Sequence, residues 1–443
     1  MESISKSTPS IPEQEVRASQ PNAITLDDFF AYMPAHQYLY VPTRELWPAS
    51  SVDGRLPPVK VNGKPVSPSE WLDNNRPVEQ MTWTPAEPEI IRDKVSQISG
   101  WVPHAGATVF NQYRAPNPPG GRPDRAGPWL EHVRRVYPDD ADHIINWMAQ
   151  RVQRPGVKCN HALVLGGLQG IGKDTLLEPL KAAVGPWNWS EINPTQMLGR
   201  FNGWAKAVVV RISEARDLGD LDRYAFYDHS KTIIATPPDV IRVDEKYLRE
   251  TYVANVAGVI ITTNNASDGL YLPADDRRHY VTWSPCTKDS FPDDYWNRLY
   301  GWYGNDGIGH VCAYLQKLDI SGFDPKAPPP KTPAFWQIVA TGEAPESGEL
   351  RDLLELMGNP DAVATSELIL KAETFAHAAF ADELKDRKSR RKIPHRMEQV
   401  GYVPVRNPGA EDGLFKVSGK RQVIYAKRQL PLAEQLRAAR AKS

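Results

Sequence analysis

The chain has 443 residues, of which 41% are hydrophobic and 24% charged, and its formal net charge is −1. This length exceeds one ordinary core and predicts two or three domains, in a composition typical of soluble globular proteins. No apolar run approaches the roughly 20 residues that span a bilayer, and the net charge excludes a protein coated in basic charge.

The amino terminus and the cysteines indicate a protein of the cytoplasm. Residues 1–24 are rich in Ser, Pro, Glu and Gln and lack the apolar core of a secretory signal, so we expect a disordered tail. Three widely separated cysteines form neither a disulfide framework nor a C-x-x-C metal knuckle: Cys159, Cys286 and Cys312. A reducing compartment is therefore expected.

Hydrophobic patterning divides the rest of the chain into four regions. Residues 25–135 mix short apolar runs with turn formers and predict a small N-terminal α+β domain. Residues 136–320 alternate helix and strand patterns and predict an α/β core. It starts with an amphipathic helix over Ala141–Gln153 and includes strands over 161–167, 207–212 and 256–263, with a helix ending at Gly185. Residues 321–345 form a proline-rich linker, and residues 346–443 a basic domain.

The carboxyl-terminal region concentrates positive charge. Lys371 to Ser443 contains 17 Lys and Arg against 8 Asp and Glu, a net charge of +9 that leaves −10 for the remainder. Helices followed by a basic hairpin predict a winged-helix-like fold that contacts a polyanion, although such folds also dock protein partners. The candidate phosphate contacts are Arg390, Arg391, Lys392, His395 and Arg396 on the recognition helix, with Lys420, Arg421 and Lys427 flanking the wing.

The stretch GLQGIGKDT, Gly167 to Thr175, is close to the phosphate-binding pattern G-x-x-x-x-G-K-[ST]. Gly167, Gly172 and Lys173 match, but Asp174 occupies the place of the metal-binding hydroxyl and Thr175 comes one residue late. A predicted strand precedes the loop and a predicted helix follows it, which is the context that the motif requires. The alternative is a glycine-rich turn without a ligand.

In this context the loop's backbone N–H groups and the helix N-terminus would surround a triphosphate, and Lys173 would supply the point charge. The predicted ATP contacts are Gly167, Gln169, Gly170, Ile171, Gly172, Lys173, Asp174 and Thr175. Mg²⁺ is expected on Thr175, or on Asp174 through water, and the sequence does not choose between them.

Polar residues at the ends of later strands complete a hydrolytic site. Glu214 follows an apolar strand and is the candidate base that polarises water, with a surface glutamate as the alternative. Asn264 ends another strand and would sense the γ-phosphate, unless it belongs to an asparagine turn. Arg277 and Arg278 precede a strand and suit an arginine finger reaching a neighbouring subunit, unless they are ordinary surface charges.

Taken in order, GLQGIGKDT, the strand ending near Glu214, IITTNN and DDRRHYV resemble the superfamily 3 helicases, a branch of the AAA+ ATPases. The resemblance is strong over residues 130–285. More narrowly, the chain resembles the helicase portion of phage and prophage primase-helicases. It implies ring assembly, usually hexameric, with ATP between subunits and translocation on single-stranded DNA. It also implies Lys173 on phosphate, Glu214 as base, Asn264 as sensor and an arginine from 277–278 acting in trans.

The same resemblance implies a hairpin before the sensor strand that projects into the ring's channel. DVIRVDEKYLRETYV occupies that place, so Lys246 and Arg249 are candidate DNA contacts, with an exposed helix face as the alternative. Asp174 and the single acid at Glu214 depart from the general pattern. No primase domain is evident, so a separate primase or polymerase is expected as a partner.

These observations together predict an ATP-dependent DNA helicase or translocase, using ATP and Mg²⁺, in the replication of a phage or other mobile element. The expected location is the cytoplasm of a bacterial host cell, away from membranes. One alternative is an ATPase switch, an initiator or loader that binds duplex origin DNA without processive unwinding. The others are a P-loop kinase, which would not need Asn264, the paired arginines or the basic domain, and a DNA-binding regulator with a degenerate ATP site.

Overall fold

The computed structural model describes residues 24–85, 87–98, 100–213, 222–246, 250–265, 270–341, 345–374, 378–385 and 393–443. The chain forms two compact units. The first comprises Met1–Thr263 and Arg277–Pro330, and the second comprises Asn264–Asp276 and Lys331–Ser443. The predicted domain boundaries stay predictions. None of the helices that the described residues form has the length and apolar character of a membrane span.

The N-terminal part of the first unit combines small sheets with two short helices. Its elements are β1 (Phe29–Tyr32), β2 (Gln37–Tyr40), β3 (Glu45–Trp47), α1 (Ala49–Arg55), β4 (Val59–Val61), β5 (Lys64–Val66), α2 (Pro68–Asn75), β6 (Pro77–Val78), β7 (Gln80–Thr82), β8 (Ile90–Gln97) and β9 (Gly100–Asn111). The strand orders are β3-β2-β1-β6 and β7-β9-β8, and β4 pairs with β5. Strands and helices occur together here, as the short apolar runs predict.

The remainder of the first unit is a helix-covered sheet. Its elements are α3 (Gly127–Val136), α4 (Ala141–Gln153), β10 (Ala162–Gly166), α5 (Lys173–Val184), β11 (Trp189–Ile192), α6 (Pro194–Leu198), β12 (Val209–Ile212), α7 (Asp222–Ile234), β13 (Val240–Val243), β14 (Thr251–Ala254), β15 (Gly258–Thr263), β16 (His279–Trp283), α8 (Tyr295–Trp302) and α9 (Ile308–Lys317). The sheet has the order β11-β12-β15-β10-β16, and all its pairings are parallel.

Burial on both faces explains why β10 and β15 are continuous apolar runs rather than alternating ones. Every residue of both strands is buried, as expected of a parallel sheet that carries helices on its faces. Helix α4 covers the sheet with Ile144, Ile145 and Met148, all in the core, and its bounds are those that the periodicity predicts. The predicted mixed α/β fold with a parallel sheet is confirmed for this region.

The second unit has its own apolar core and contains the basic carboxyl-terminal region. Its elements are α10 (Pro333–Thr341), α11 (Pro345–Leu356), β17 (Ala362–Ala364), α12 (Thr365–Thr374), α13 (Ala378–Lys385), α14 (Ile393–Gln399), β18 (Tyr402–Val405), β19 (Phe415–Val417), β20 (Lys420–Gln422), β21 (Ile424–Lys427) and α15 (Leu432–Arg440). Strands β17, β21 and β18 form an antiparallel sheet in the order β17-β21-β18. The hairpin β19–β20 occupies the part of the chain between β18 and β21. Leu353, Leu368 and Met397 are fully buried in its core.

Candidate nucleotide site and nucleic-acid interface

The glycine-rich loop joins β10 to α5, so the predicted strand–loop–helix arrangement is confirmed. The strand ends at Gly166 and the helix begins at Lys173. Gly167, Gly170 and Gly172 have φ angles of 145°, 83° and 85°, a left-handed backbone that a side chain disfavours. A Cβ on Gly172 would lie 2.6 Å from the Trp296 ring, so glycine is required there for space as well.

Lys173 organises the loop from inside. Its ammonium group donates hydrogen bonds to the carbonyl oxygens of Gly167 at 2.7 Å and Leu168 at 2.8 Å. The side chain is buried, and this desolvation lowers the pKa of Lys173, although the neighbouring Asp174 carboxylate acts in the opposite direction. The loop therefore curves around a cationic centre, which is the arrangement that binds a polyphosphate.

A buried histidine supports the loop from behind. His132 Nε2 lies 3.1 Å from the carbonyl oxygen of Gly172, and its Nδ1 lies 2.9 Å from the Tyr295 hydroxyl. A carbonyl only accepts, so Nε2 donates and Nδ1 accepts from Tyr295. Burial lowers the pKa of His132, which keeps this imidazole neutral. Sequence reasoning missed His132, because it lies 40 residues before the glycine it supports.

A lysine that the sequence reasoning also missed lies beside the loop. Lys288 is exposed, and its Cε is 2.9 Å from the position that a Cβ on Gly170 would occupy. The aliphatic part of the Lys288 side chain therefore packs against the loop's backbone. Its positive charge consequently lies near the loop. No motif in the sequence links Lys288 to the loop, which only the pairing of β16 with β10 brings close.

The two predicted metal-side residues point in different directions. The Asp174 carboxylate is exposed, and its Oδ1 accepts a bond from Arg211 Nη2 at 2.5 Å. The Thr175 hydroxyl is buried and lies 2.8 Å from the Tyr300 hydroxyl. Carboxylate and hydroxyl oxygens are suitable Mg²⁺ ligands, so the residues present fit a magnesium nucleotide. Among the described residues, no group of three or more His, Cys, Asp or Glu side chains is arranged to hold a metal ion.

The strand that leads to Glu214 is not adjacent to β10, because β15 lies between them. Glu214 itself falls outside the described residues. Ser213, which precedes it, donates its N–H to the carbonyl oxygen of Ile192 at 2.9 Å. The N–H of Gly167 donates to the carbonyl oxygen of Thr263 at 3.2 Å, and Asn264 is the next residue in the chain. The strands that carry the predicted acid and sensor are thus both parallel to the loop's strand.

The paired arginines precede the amino-terminal end of β16, whereas the loop leaves the carboxyl-terminal end of β10. In the parallel register, Ala162 pairs with His279 and Gly166 with Trp283, and the N–H of Ala162 donates to the carbonyl oxygen of Arg278 at 2.8 Å. Since the loop leaves β10 at Gly166, Arg278 is separated from it by the whole strand, roughly 16 Å at about 3.3 Å per residue. Arg277 is exposed at the same end of the strand. Neither position suits a contact with the loop of the same subunit.

The predicted hairpin is formed by β13 and β14, which pair antiparallel. Lys246 is exposed near its tip, while Arg249 lies outside the described residues. Asn202 holds the end of β13 next to the turn, since its Oδ1 accepts from the N–H of Asp244 at 2.8 Å and its Nδ2 donates to the carbonyl oxygen of Arg242 at 2.9 Å. Lys246 lies in a turn rather than on a helix, and its contact with DNA stays a prediction.

The predicted phosphate contacts of the second unit have different environments. Arg396 is 5% exposed within α14, so its assignment to a DNA surface is corrected: its guanidinium is part of the core of this unit. Lys427 lies 3.1 Å from Asp361 and Arg421 lies 2.7 Å from Asp412, whereas Lys420 is exposed. The backbone of His395 belongs to α14. Arg390, Arg391 and Lys392 lie outside the described residues.

Comparisons with known proteins identify a shared fold. Residues 165–278 match the model of a family of unknown function (DUF5906), and no curated protein matches the chain. The apo structure of the NrS-1 C-terminal region is similar with a TM-score of 0.57 at 17% identity, over 90% of this chain and 95% of that one. Its A form gives a TM-score of 0.53 at 15% identity, over 90% and 96%. JCV helicase gives 0.31 at 11% identity, over 53% of this chain and 66% of that one. The chain thus shares the fold of the NrS-1 region.

Proposed function

We propose that this chain is an ATP-dependent DNA helicase or translocase that acts in the replication of a phage or other mobile element. The observation that carries the proposal is the glycine loop closed around Lys173, between a buried parallel strand and a helix N-terminus. Backbone N–H groups, the helix dipole and the lysine charge all favour a polyphosphate at this place. ATP is the nucleotide, with Mg²⁺ as its metal.

Hydrolysis takes place between the subunits of a ring, which we propose to be a hexamer. The position of Arg277 and Arg278 at the opposite end of the strands from the loop supports this, because their own subunit's loop lies a strand's length away and a neighbour's nucleotide is the site that they would serve. Lys173 holds the β- and γ-phosphates, Glu214 takes the proton of the attacking water, and Asn264 senses the γ-phosphate. Bound Mg²⁺ supplies neutralisation of phosphate charge in the transition state.

The hairpin β13–β14 couples the site to single-stranded DNA through Lys246 and Arg249. The exposure of Lys246 and the hydrogen bonds that hold the neighbouring end of β13 support this role, since together they place an exposed cation beside an anchored strand end. The order of elements in the second unit, helices followed by a three-stranded sheet and a hairpin, supports a winged-helix-like DNA-binding domain. The protein works in the bacterial cytoplasm with a separate primase or polymerase.

The test is ATP hydrolysis by the purified protein with and without single-stranded DNA, with Lys173→Ala as the matched variant. We expect DNA to stimulate hydrolysis and the variant to lose both rates, followed by strand displacement in a helicase assay. Hydrolysis that ignores DNA would favour the switch that loads or initiates on duplex origin DNA. No hydrolysis from a folded, assembled protein would contradict the proposed function.

A further inference from the structure

The residue that follows Lys173 departs from the usual pattern, and its contacts distinguish it from Thr175. In a helix, successive side chains are turned by about 100°, so Asp174 and Thr175 point in different directions. The Thr175 hydroxyl is buried against the Tyr300 hydroxyl at 2.8 Å, and its carbonyl oxygen accepts from the Tyr303 hydroxyl at 2.9 Å. The Thr175 hydroxyl is thus paired with a residue of α8.

Asp174 has the opposite environment. Its side chain is 66% exposed in the first turn of α5, where the helix N-terminus favours negative charge. Its Oδ1 is held at 2.5 Å by Nη2 of Arg211, whose own side chain is only 15% exposed. A carboxylate has about four acceptor sites, so this bond leaves Asp174 able to ligate a metal ion or its water.

Arg211 is itself fixed in place. It projects from β12, which pairs with a strand on each side, and its Nη1 lies 3.6 Å from Glu191 on β11. Glu191 in turn lies 3.7 Å from Lys181 on α5. The guanidinium therefore pairs with two carboxylates, one through each terminal nitrogen, and its position does not depend on Asp174 alone. Carboxylates that ligate metals are commonly oriented by such a second hydrogen-bonding partner.

We propose that Asp174, rather than Thr175, is the metal-side residue of this nucleotide site, and that Arg211 is the positioning residue that orients its carboxylate. A bare carboxylate beside phosphates would repel them. Arg211 and Lys173 compensate its charge from two sides, so Asp174 is tolerated and meets Mg²⁺, directly or through a water of its shell. This inference rests on the proposed function, since it concerns the metal of the same nucleotide.

The experiment measures Mn²⁺ binding to the full-length protein saturated with ADP, following free Mn²⁺ by electron paramagnetic resonance. Asp174→Asn and Arg211→Gln should each weaken Mn²⁺ about tenfold or more, the range found when a ligand's supporting residue is removed. Thr175→Val should change the Mn²⁺ affinity less than about twofold. Glu178→Gln is the matched control, because it removes an exposed carboxylate from the same helix α5, and the Mn²⁺ affinity of this variant should stay within about twofold. Thermal unfolding of each variant checks that the fold is kept.

The opposite pattern overturns the inference: Thr175→Val weakens Mn²⁺ while Asp174→Asn does not, or Arg211→Gln leaves the affinity unchanged. ADP binding in the presence of EDTA separates this failure from that of the proposed function. A wild-type protein that binds no ADP, with or without metal, overturns both. If the wild-type protein binds ADP and Mn²⁺, and Asp174→Asn binds Mn²⁺ equally well, the inference alone is overturned.

Discussion

The hydroxyl of Thr82, the last residue of β7, donates a 2.9 Å hydrogen bond to the carbonyl oxygen of Tyr252 in β14. Ser96 reaches the same carbonyl oxygen at 3.4 Å and exchanges two 2.7 Å bonds with Gln80. Thr82 and Ser96 are both buried. The N-terminal sheet therefore braces one strand of the hairpin that leads to and from Lys246.

Thr82→Val should uncouple DNA from hydrolysis. The change keeps the side chain's shape but removes a donor from a half-buried carbonyl, at a cost of about 1 kcal/mol. We expect DNA-stimulated ATP hydrolysis to fall several-fold while the DNA-independent rate is kept. Thr43→Val is the control, because that hydroxyl bonds to Glu45 on the surface of the same N-terminal part. Equal stimulation in the two variants would argue against the brace.

Gly172→Ala should weaken nucleotide binding without unfolding the protein. The residue has φ of 85°, which costs an alanine about 1–2 kcal/mol, and the new Cβ would collide with Trp296 and His132. We expect at least a tenfold loss of ADP affinity by fluorescence titration. Gly54→Ala is the control, since a Cβ there meets no atom within 4 Å. An unchanged affinity in Gly172→Ala would mean that the loop tolerates a shifted backbone.

Subunit mixing tests the position of Arg278. If the arginine acts in trans, Lys173→Ala and Arg278→Ala should each be inactive alone but recover hydrolysis when co-assembled. In a random ring, about one quarter of the interfaces pair an intact lysine with an intact arginine, so about one quarter of the wild-type rate is expected. A mixture as inactive as either variant would place the arginine outside the neighbour's site.

Lys246→Ala should weaken binding to single-stranded DNA and lower its salt dependence. A lost phosphate contact reduces the slope of log Kd against log salt by about 0.7 for a single strand. We expect the measured slope, from fluorescence anisotropy at several salt concentrations, to fall by that amount. Lys317→Ala on the exposed end of α9 is the matched control and should keep the wild-type slope. Two identical slopes would remove Lys246 from the DNA interface.

Stability should fall on acidification because of a buried histidine pair. His143 and His161 join their Nε2 atoms at 3.0 Å, and burial lowers the pKa of His143 to about 4 and of His161 to about 3. Both stay neutral in the folded chain below pH 6.5, where the unfolded chain takes up protons, so the free energy of unfolding decreases as pH falls. Between pH 7 and 5 the loss is about 2 kcal/mol for each such histidine.

Urea unfolding at pH 7 and pH 5 measures this loss, with His143→Gln as the variant. Glutamine keeps a hydrogen-bonding group but does not titrate, so the difference between the two pH values should shrink by about 2 kcal/mol. A variant with the wild-type pH dependence would mean that the His143 side chain is solvated in the folded state. His36, an exposed histidine of the N-terminal part, provides a control through His36→Gln.

Patterns among neighbouring residues were enough to predict α4 and the strand, loop and helix of the nucleotide site. The 3.6-residue period over Ala141–Gln153 predicts α4 with its observed bounds, because one face of that helix alone meets the core. The apolar run before Gly167 predicts the end of β10, and Gly185 predicts the end of α5. In both places a glycine with a positive φ angle ends the regular structure. Glycine and lysine spacing within nine residues then identifies the loop.

The contacts that give the loop its chemistry depend on the tertiary structure. Asp174 meets Arg211 across 37 residues and Thr82 meets Tyr252 across 170, distances in sequence over which no periodicity extends. Arg396 looks like a surface charge in a basic stretch, yet α14 turns it into the core. The sequence by itself determined the helices, strands and phosphate loop, because turn chemistry and burial periodicity act over a few residues. Only the folded chain decided which carboxylate an arginine holds and at which end of the strands Arg278 lies, because strand order sets those neighbours.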